Sequence, residues 1–329
     1  MNKIKLTYPL LLAFLLCACT SKTNNDTPSN ETEKIIRPVF DEDTAFAYIE
    51  KQVSFGPRVP NTIAHEKCAD FLIEELTRWT DTVYVQAFEA TAYNGQKLKS
   101  KNIIGVFNKE QNNRILLAAH WDSRPYADND ADIANSRKPI DGANDGGSGV
   151  GVLLEIARQL HQQRPNVGID IVFFDAEDYG EPQDERHLYE GENWCLGSQY
   201  WAKNPHLRYY KAKYGILLDM VGGKSAVFCK EGTSKYFASN IQDKIWNNAH
   251  KLGYAERFSN NVSNAITDDH LYVNSILSIP MIDIIEMPAY SSTGFNATWH
   301  TMNDNIDNID KNTLKIVGEV VLFSIKNEQ

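Results

Sequence analysis

Basic charge is scarce in this chain. Its 329 residues include 33 Lys and Arg against 43 Asp and Glu, a formal net charge of −10. With neither a basic excess nor a basic stripe, nucleic acid is not an expected partner. A membrane-spanning run is also lacking. The apolar stretch from Leu6 to Leu16 is interrupted by Thr7, Tyr8 and Pro9, and falls short of the ~20 residues a spanning helix needs. Cysteine is sparse: there are 5 in all, and Cys17 and Cys19 lie at the extreme N-terminus. The other three, Cys68, Cys195 and Cys229, allow at most one intrachain bridge, so disulfides do not build this fold, and the sequence leaves open whether that bridge forms. Past Phe40 there is no repeat, low-complexity segment or second linker. What is present, 42% hydrophobic and 23% charged residues, is globular composition.

The N-terminus reads as an export signal. Lys3 and Lys5 precede the apolar run, which then meets Leu16-Cys17-Ala18-Cys19. A short apolar region after a basic start fits a secretory signal. A plain signal peptide cut nearby is the simpler reading, but Leu16-Cys17-Ala18-Cys19 resembles a bacterial lipobox. The expectation is therefore a signal at residues 1–18, cleavage before Cys19, and lipidation of Cys19. The product is an exported lipoprotein that touches the membrane only through its lipid. Thr20 offers no inner-membrane retention signal by analogy, so the outer membrane, facing the periplasm, is expected. Residues 19–38 are rich in Thr, Asn and Ser and read as a flexible tether. Residues 39–329 form one predicted domain.

Within that domain, apolar spacing alternates between helix and strand. Helices are predicted over Asp43–Val53, Thr62–Trp79, Ser148–Leu160, Leu196–Ala202, Lys235–Lys251 and Lys311–Ile325. Strands are predicted over Val83–Phe88, Asn102–Phe107, Arg114–Ala119, Gly168–Phe174, Tyr214–Leu218, Ala226–Phe228 and Ser278–Ile285. Val150, Leu153, Leu154, Ala157 and Leu160 make one helical stripe, and the apolar run Gly168–Phe174 suits a strand covered on both faces. Such alternation implies the α/β class: a single domain with a central mixed, mostly parallel twisted sheet flanked by helices. Function in such sheets sits beyond the carboxyl ends of the strands.

Chemically capable residues fall at those ends. One strand runs into His120-Trp121-Asp122, another into Asp175-Ala176-Glu177-Asp178, a third into Asp219. Asp145 precedes the 148–160 helix, and Asp268, Asp283, Trp299 and His300 come late in the chain. Each has a structural alternative: Asp145 suits a helix cap, Glu177 and Asp178 suit a solvated acidic loop, and His120 and His300 suit satisfied core histidines. Jointly those alternatives do poorly. Like charges gathered at one sheet edge are costly without a cation. Imidazole and carboxylate donors without clustered thiolates suit a catalytic Zn²⁺ with an open position.

The segments HWDS at 120–123, DGANDGGSG at 141–149, FFDAED at 173–178, LLDM at 217–220, DDH at 268–270 and WHT at 299–301 together resemble the zinc-dependent, aminopeptidase-like M28 family. Within it, they are most similar to the glutaminyl cyclase branch. The resemblance implies the zinc-dependent exopeptidase fold. In two-zinc aminopeptidases the five ligand positions match His120, Asp145, Asp178, Asp219 and His300, with Asp145 bridging and Glu177 as general base. In those two-zinc relatives Asp122 matches the acid that orients the histidine ligand; in the cyclases one Zn²⁺ is implied, held by Asp145, Asp178 and His300, and His120 becomes a leftover lining group.

The cyclase reading is favoured by the acid pair before His270 and by aromatics matching the cyclase pocket. Asp268 is expected to hydrogen-bond Asp219, and two carboxylates in contact share a proton, which keeps a second metal away. Trp299 and Phe295 match pocket positions; Trp194 is a third substrate-binding candidate on a loop that departs from the animal enzymes. Asp283 stands where those enzymes have histidine, and is expected at the substrate site or in the Asp219–Asp268 network. Asp178 replaces their glutamate. A cis peptide between Asp145 and Gly146 is also implied. The implied activity is glutaminyl-peptide cyclotransferase on peptides or proteins with N-terminal Gln, with Glu177, Asp219 and Asp268 in the catalytic machinery. The alternatives are a two-zinc aminopeptidase and a non-enzymatic surface lipoprotein; the retained Glu177 argues against the last.

Overall fold

In a computed structural model describing residues 35–288, 291 and 293–328, the predicted alternation becomes seven α-helices and eight β-strands among the described residues. They run α1 (Glu42–Val53), α2 (Ile63–Trp79), β1 (Thr82–Thr91), β2 (Lys97–Phe107), β3 (Arg114–His120), α3 (Gly147–Gln162), β4 (Gly168–Phe174), α4 (Leu196–Lys203), β5 (Tyr214–Asp219), β6 (Phe228–Lys230), α5 (Gly232–Lys251), β7 (Phe258–Val262), α6 (Asp269–Leu277), β8 (Met281–Ile285) and α7 (Lys311–Lys326). The predicted signal, Cys19 and most of the tether lie outside the described residues. The end of that tether is already held: the Arg37 guanidinium donates to Tyr254 Oη at 2.8 Å and to Glu319 at 3.1 Å.

Six strands form the main sheet in the order β1-β2-β4-β3-β5-β8. β4, β3, β5 and β8 pair in parallel, while β1–β2 and β2–β4 are antiparallel. The middle strands are apolar on both faces because both are covered. Ile115, Leu117 and Ala119 of β3 join the core under α1, α2, α3 and α7. Leu116 and Ala118, their neighbours in the chain, face the second core with Trp201 of α4 and Val273 of α6. That two-residue alternation makes three layers out of one continuous apolar run. No described helix is long and apolar enough to cross a membrane.

Three elements depart from the sequence reading, among them β7, which was not expected. The strand expected at Ala226–Phe228 is found at Phe228–Lys230, paired with β7 outside the main sheet. α6 was not expected; its start is fixed by Asp268, whose side chain accepts from the Asp269 N–H as an N-cap. Cys68, Cys195 and Cys229 are all buried and free, so none is bridged.

Candidate active site

Parallel pairing brings the ends of β3, β4 and β5 to one edge. His120 is the last residue of β3 and pairs with Phe174, the last of β4; Asp219 closes β5. Asp145 reaches the same edge through the turn into α3. There Gly146 adopts φ 85°, ψ −41°, a region open to glycine. Gly149 lets that helix press onto the sheet, since a Cβ would fall 2.1 Å from the Leu218 carbonyl oxygen. The peptide joining Asp145 to Gly146 is trans, which corrects the cis bond the family resemblance implied. Gly146 makes the turn through its own φ instead.

Adjacent residues on a strand point to opposite faces, so Glu177 and Asp178 can share a site only where the chain leaves the sheet. It does so at Ala176, at φ 55°. Asp122 secures this turn by accepting from the Glu177 N–H at 3.0 Å and the Asp178 N–H at 3.2 Å.

Asp145 is the hub. One oxygen lies 3.0 Å from His120 Nε2, which is also 3.3 Å from Asp219. The other lies 3.6 Å from His300 Nε2, which is 3.2 Å from Asp178. Two buried donor sets therefore share Asp145: His120, Asp145 and Asp219, and Asp145, Asp178 and His300. In each, the donor atoms lie within 4.8 Å of one another. The second set fits a zinc ion well. Its donors are two carboxylates and an imidazole, and Asp178 Oδ2 is buried with no hydrogen-bond partner. His300 Nδ1 is 3.2 Å from Asp128, the carboxylate–histidine arrangement that orients a metal-binding ring.

Burial dominates the electrostatics. It raises the carboxyl pKa of Asp178, which the Asp145 charge raises further, and lifts Asp219 to about 7. Glu177 is pushed well above the ordinary carboxylate range by burial and by Asp178 and Asp268. On His120 and His300 burial favours the neutral ring, but the surrounding carboxylates outweigh it and raise both. Burial raises Asp145 too, but His120 and His300 outweigh it and lower that group; the other shifts are upward, so each contributes stability at low pH that is lost as pH rises through its folded value. For Asp219 that window runs from an unfolded value of ~3.9 up to about 7. Metal-stripped protein is thus expected to melt at progressively lower temperature between about pH 5 and about pH 8, and metal-loaded protein much less so. A stripped-protein Tm that is flat or rising over this range would contradict the assignment.

The third acidic group differs from expectation. Asp268 takes Asp283, not Asp219, as its carboxyl partner; burial comes first in raising both, and Asp283 is raised well above the ordinary range. Ligand atoms of Asp268, His270 and Asp283 lie within 4.8 Å of one another, and both Asp283 carboxyl oxygens are buried without a hydrogen-bond partner. Asp219 turns to His120 instead and meets Asp268 only through charge. Asp283 is wholly buried and is not part of the cavity wall, so its place is in the network behind the site and not at the substrate.

In front lies a cavity of about 470 Å³ whose wall includes Glu177, Asp219, Trp194, Phe295, Trp299 and His300. Trp299 stacks on the His300 ring at 3.8 Å and packs against Phe295 at 4.5 Å. Trp194 runs parallel to the same imidazole at 6.3 Å, with the Arg124 guanidinium 4.6 Å from its ring.

Sequence reasoning missed the supports. Arg124, fully buried, donates to Asp128 at 3.0 Å and to the Asp178 carbonyl at 3.0 Å, tying the acid beside His300 to the Asp178 loop. Asp304 accepts the N–H groups of Asn144 at 2.7 Å and Asp145 at 3.1 Å. Its one sequence signal is its position shortly after His300.

Comparison with known proteins follows the same outline. The profile of peptidase family M28 matches residues 102–325. The glutaminyl cyclase of Tannerella forsythia superposes with a TM-score of 0.87 at 57% identity, covering 89% of this chain and 100% of that one. A leucine aminopeptidase precursor of Bacteroides thetaiotaomicron superposes with a TM-score of 0.84 at 52% identity, covering 90% and 100%. Bovine glutaminyl-peptide cyclotransferase is 25% identical over 67% of this chain, a match spanning 64% of the bovine protein's length.

Proposed function

Because this chain belongs to peptidase family M28, we infer its activity from what its site adds to that scaffold: it is a glutaminyl cyclase, converting N-terminal glutamine of peptides to pyroglutamate with release of ammonia. The observation that carries the reading is the aromatic wall set against a metal-site imidazole, with Trp299 stacked at 3.8 Å on His300. It forms part of the wall of the cavity of about 470 Å³. The identity with the Tannerella enzyme over that protein's whole length supports it.

When held by Asp145, Asp178 and His300, zinc supplies Lewis acidity to the substrate's γ-carbonyl oxygen. Trp299 and Phe295 enclose the glutamine side chain and exclude water from it. The substrate's α-amine nitrogen bonds to the γ-carbon while the carbon–nitrogen bond of the side-chain amide breaks. Glu177 removes a proton from that amine and returns it to the departing ammonia, and its raised pKa brings it closer to its task near neutral pH. Asp219, on the same cavity wall, holds the amide nitrogen. The reaction is intramolecular, so fixing the amine beside the carbonyl lowers the barrier further. One zinc per chain belongs to this proposal, as the likeness to the cyclases implies.

The decisive assay offers Gln-peptides and Leu-peptides to the purified protein. Ammonia from the first with no free leucine from the second is the expected result; leucine release would establish the aminopeptidase instead. The same proposal includes export, cleavage before Cys19 and lipid attachment there, outer-membrane anchored and facing the periplasm. It is supported by the Leu16-Cys17-Ala18-Cys19 sequence. Labelled fatty acid incorporated by the wild type and equally by Cys19→Ser would refute it.

A further inference from the structure

Cys195 has no role so far, yet it is fully buried and follows the cavity residue Trp194. Its thiol donates to Glu177 Oε1 at 3.2 Å. Its backbone N–H donates to the Glu177 carbonyl at 2.9 Å, and the next N–H, of Leu196, donates to the Ala176 carbonyl at 3.0 Å. The turn that starts α4 thus grips Glu177 at backbone and carboxyl together. Cys195 is also the N-cap of α4, at φ 55°, ψ 36°, but makes no side-chain cap bond. A cap residue normally turns its side chain back to its own helix; this one is turned to the carboxylate. Burial and the carboxylates of Glu177, Asp269 and Asp268 push the thiol well above its ordinary pKa, so it stays a donor.

We propose that Cys195 is a positioning residue for the reaction assigned above: its S–H fixes one oxygen of Glu177 and leaves the other facing the substrate's amine. A thiol suits this task because it is a weak donor. It sets the orientation of the carboxylate while withdrawing little of the basicity that the proton transfer needs. The inference rests on Glu177 being the base.

The test compares two variants without the donor, Cys195→Ala and Cys195→Gly, with one that keeps it, Cys195→Ser. Glycine favours the left-handed backbone at this position, so Cys195→Gly removes the donor even if Cys195→Ala does not fold. Steady-state kinetics on a Gln-peptide are read beside bound zinc. Losing a hydrogen bond to a charged group is expected to lower kcat about tenfold in Cys195→Ala and Cys195→Gly, with KM within about twofold and zinc retained. Cys195→Ser is expected to return to within about threefold of wild type, since a hydroxyl can donate in the same place. Wild-type kcat in both donor-less variants, equal loss in Cys195→Ser, or a loss that tracks zinc content would overturn the inference. Wild-type protein that releases no ammonia from Gln-peptides would instead overturn the functional reading.

Discussion

Glu177→Gln is expected to keep its zinc and its fold while losing turnover by roughly 10²- to 10⁴-fold, the usual contribution of a positioned acid–base group. Three observations set this expectation. Glu177 is outside the donor set of Asp145, Asp178 and His300, so the metal site is left whole. Glutamine is nearly isosteric and its carbonyl can still accept the Cys195 thiol, so the turn is held as before. The carboxylate, however, is one whose pKa burial and three neighbouring acids raise, and an amide cannot take up the proton that the α-amine must lose. Removing a charge from a crowded acidic pocket also relieves repulsion, so stability should not fall. Ammonia release and zinc content, measured on the same preparation, check both halves. Activity retained above about a tenth of wild type would remove Glu177 from its role as base.

The second large effect is at the hub. Asp145→Asn is expected to lose bound zinc and activity together, beyond the 10- to 100-fold in affinity that losing a mere orienting partner costs. Each oxygen of Asp145 faces a different imidazole, His120 at 3.0 Å and His300 at 3.6 Å. Asparagine keeps one acceptor and replaces the other by a donor, which no cation tolerates as a ligand. His120→Ala provides the contrast. His120 serves only the set it forms with Asp145 and Asp219, so this variant is expected to retain the zinc of the wild type, about one per chain. Metal analysis decides between the readings: a wild type that binds two zinc ions and drops to one in His120→Ala has the aminopeptidase arrangement.

Much of the site was legible because parallel β-structure imposes order on it. A strand that runs apolar and then ends in an acid or imidazole places that group at the sheet edge, whatever its partners are. His120, Asp219 and the Glu177–Asp178 turn were readable in this way. The need for a bend before Glu177 was readable too, since a strand cannot aim two successive side chains alike; Ala176, at φ 55°, is the residue that bends. The expected partner of Asp268 was not legible. Asp219 and Asp283 lie on adjacent strands, with Asp219 paired to Ile285 and Asp283 to Leu217. Both acids are therefore within reach of the start of α6. Choosing between them depends on angstrom-scale placement of that helix, and its existence was not read at all.

By itself, then, the sequence determined the layers and the chemistry at their edge. Those follow from short-range facts: two-residue alternation along strands, helical stripes, and which residue ends each run. Only the tertiary structure decided the pairings that make these groups work. They include Asp128 behind His300, Arg124 between Asp128 and the Asp178 loop, Asp304 beneath Asp145, Asp283 against Asp268, and the Cys195 thiol on Glu177. The physical reason is that the pocket gathers many acids of similar intrinsic strength. Which of them is ionised, protonated or bonded is set by burial and by distances between segments far apart in the chain, and no local pattern records either.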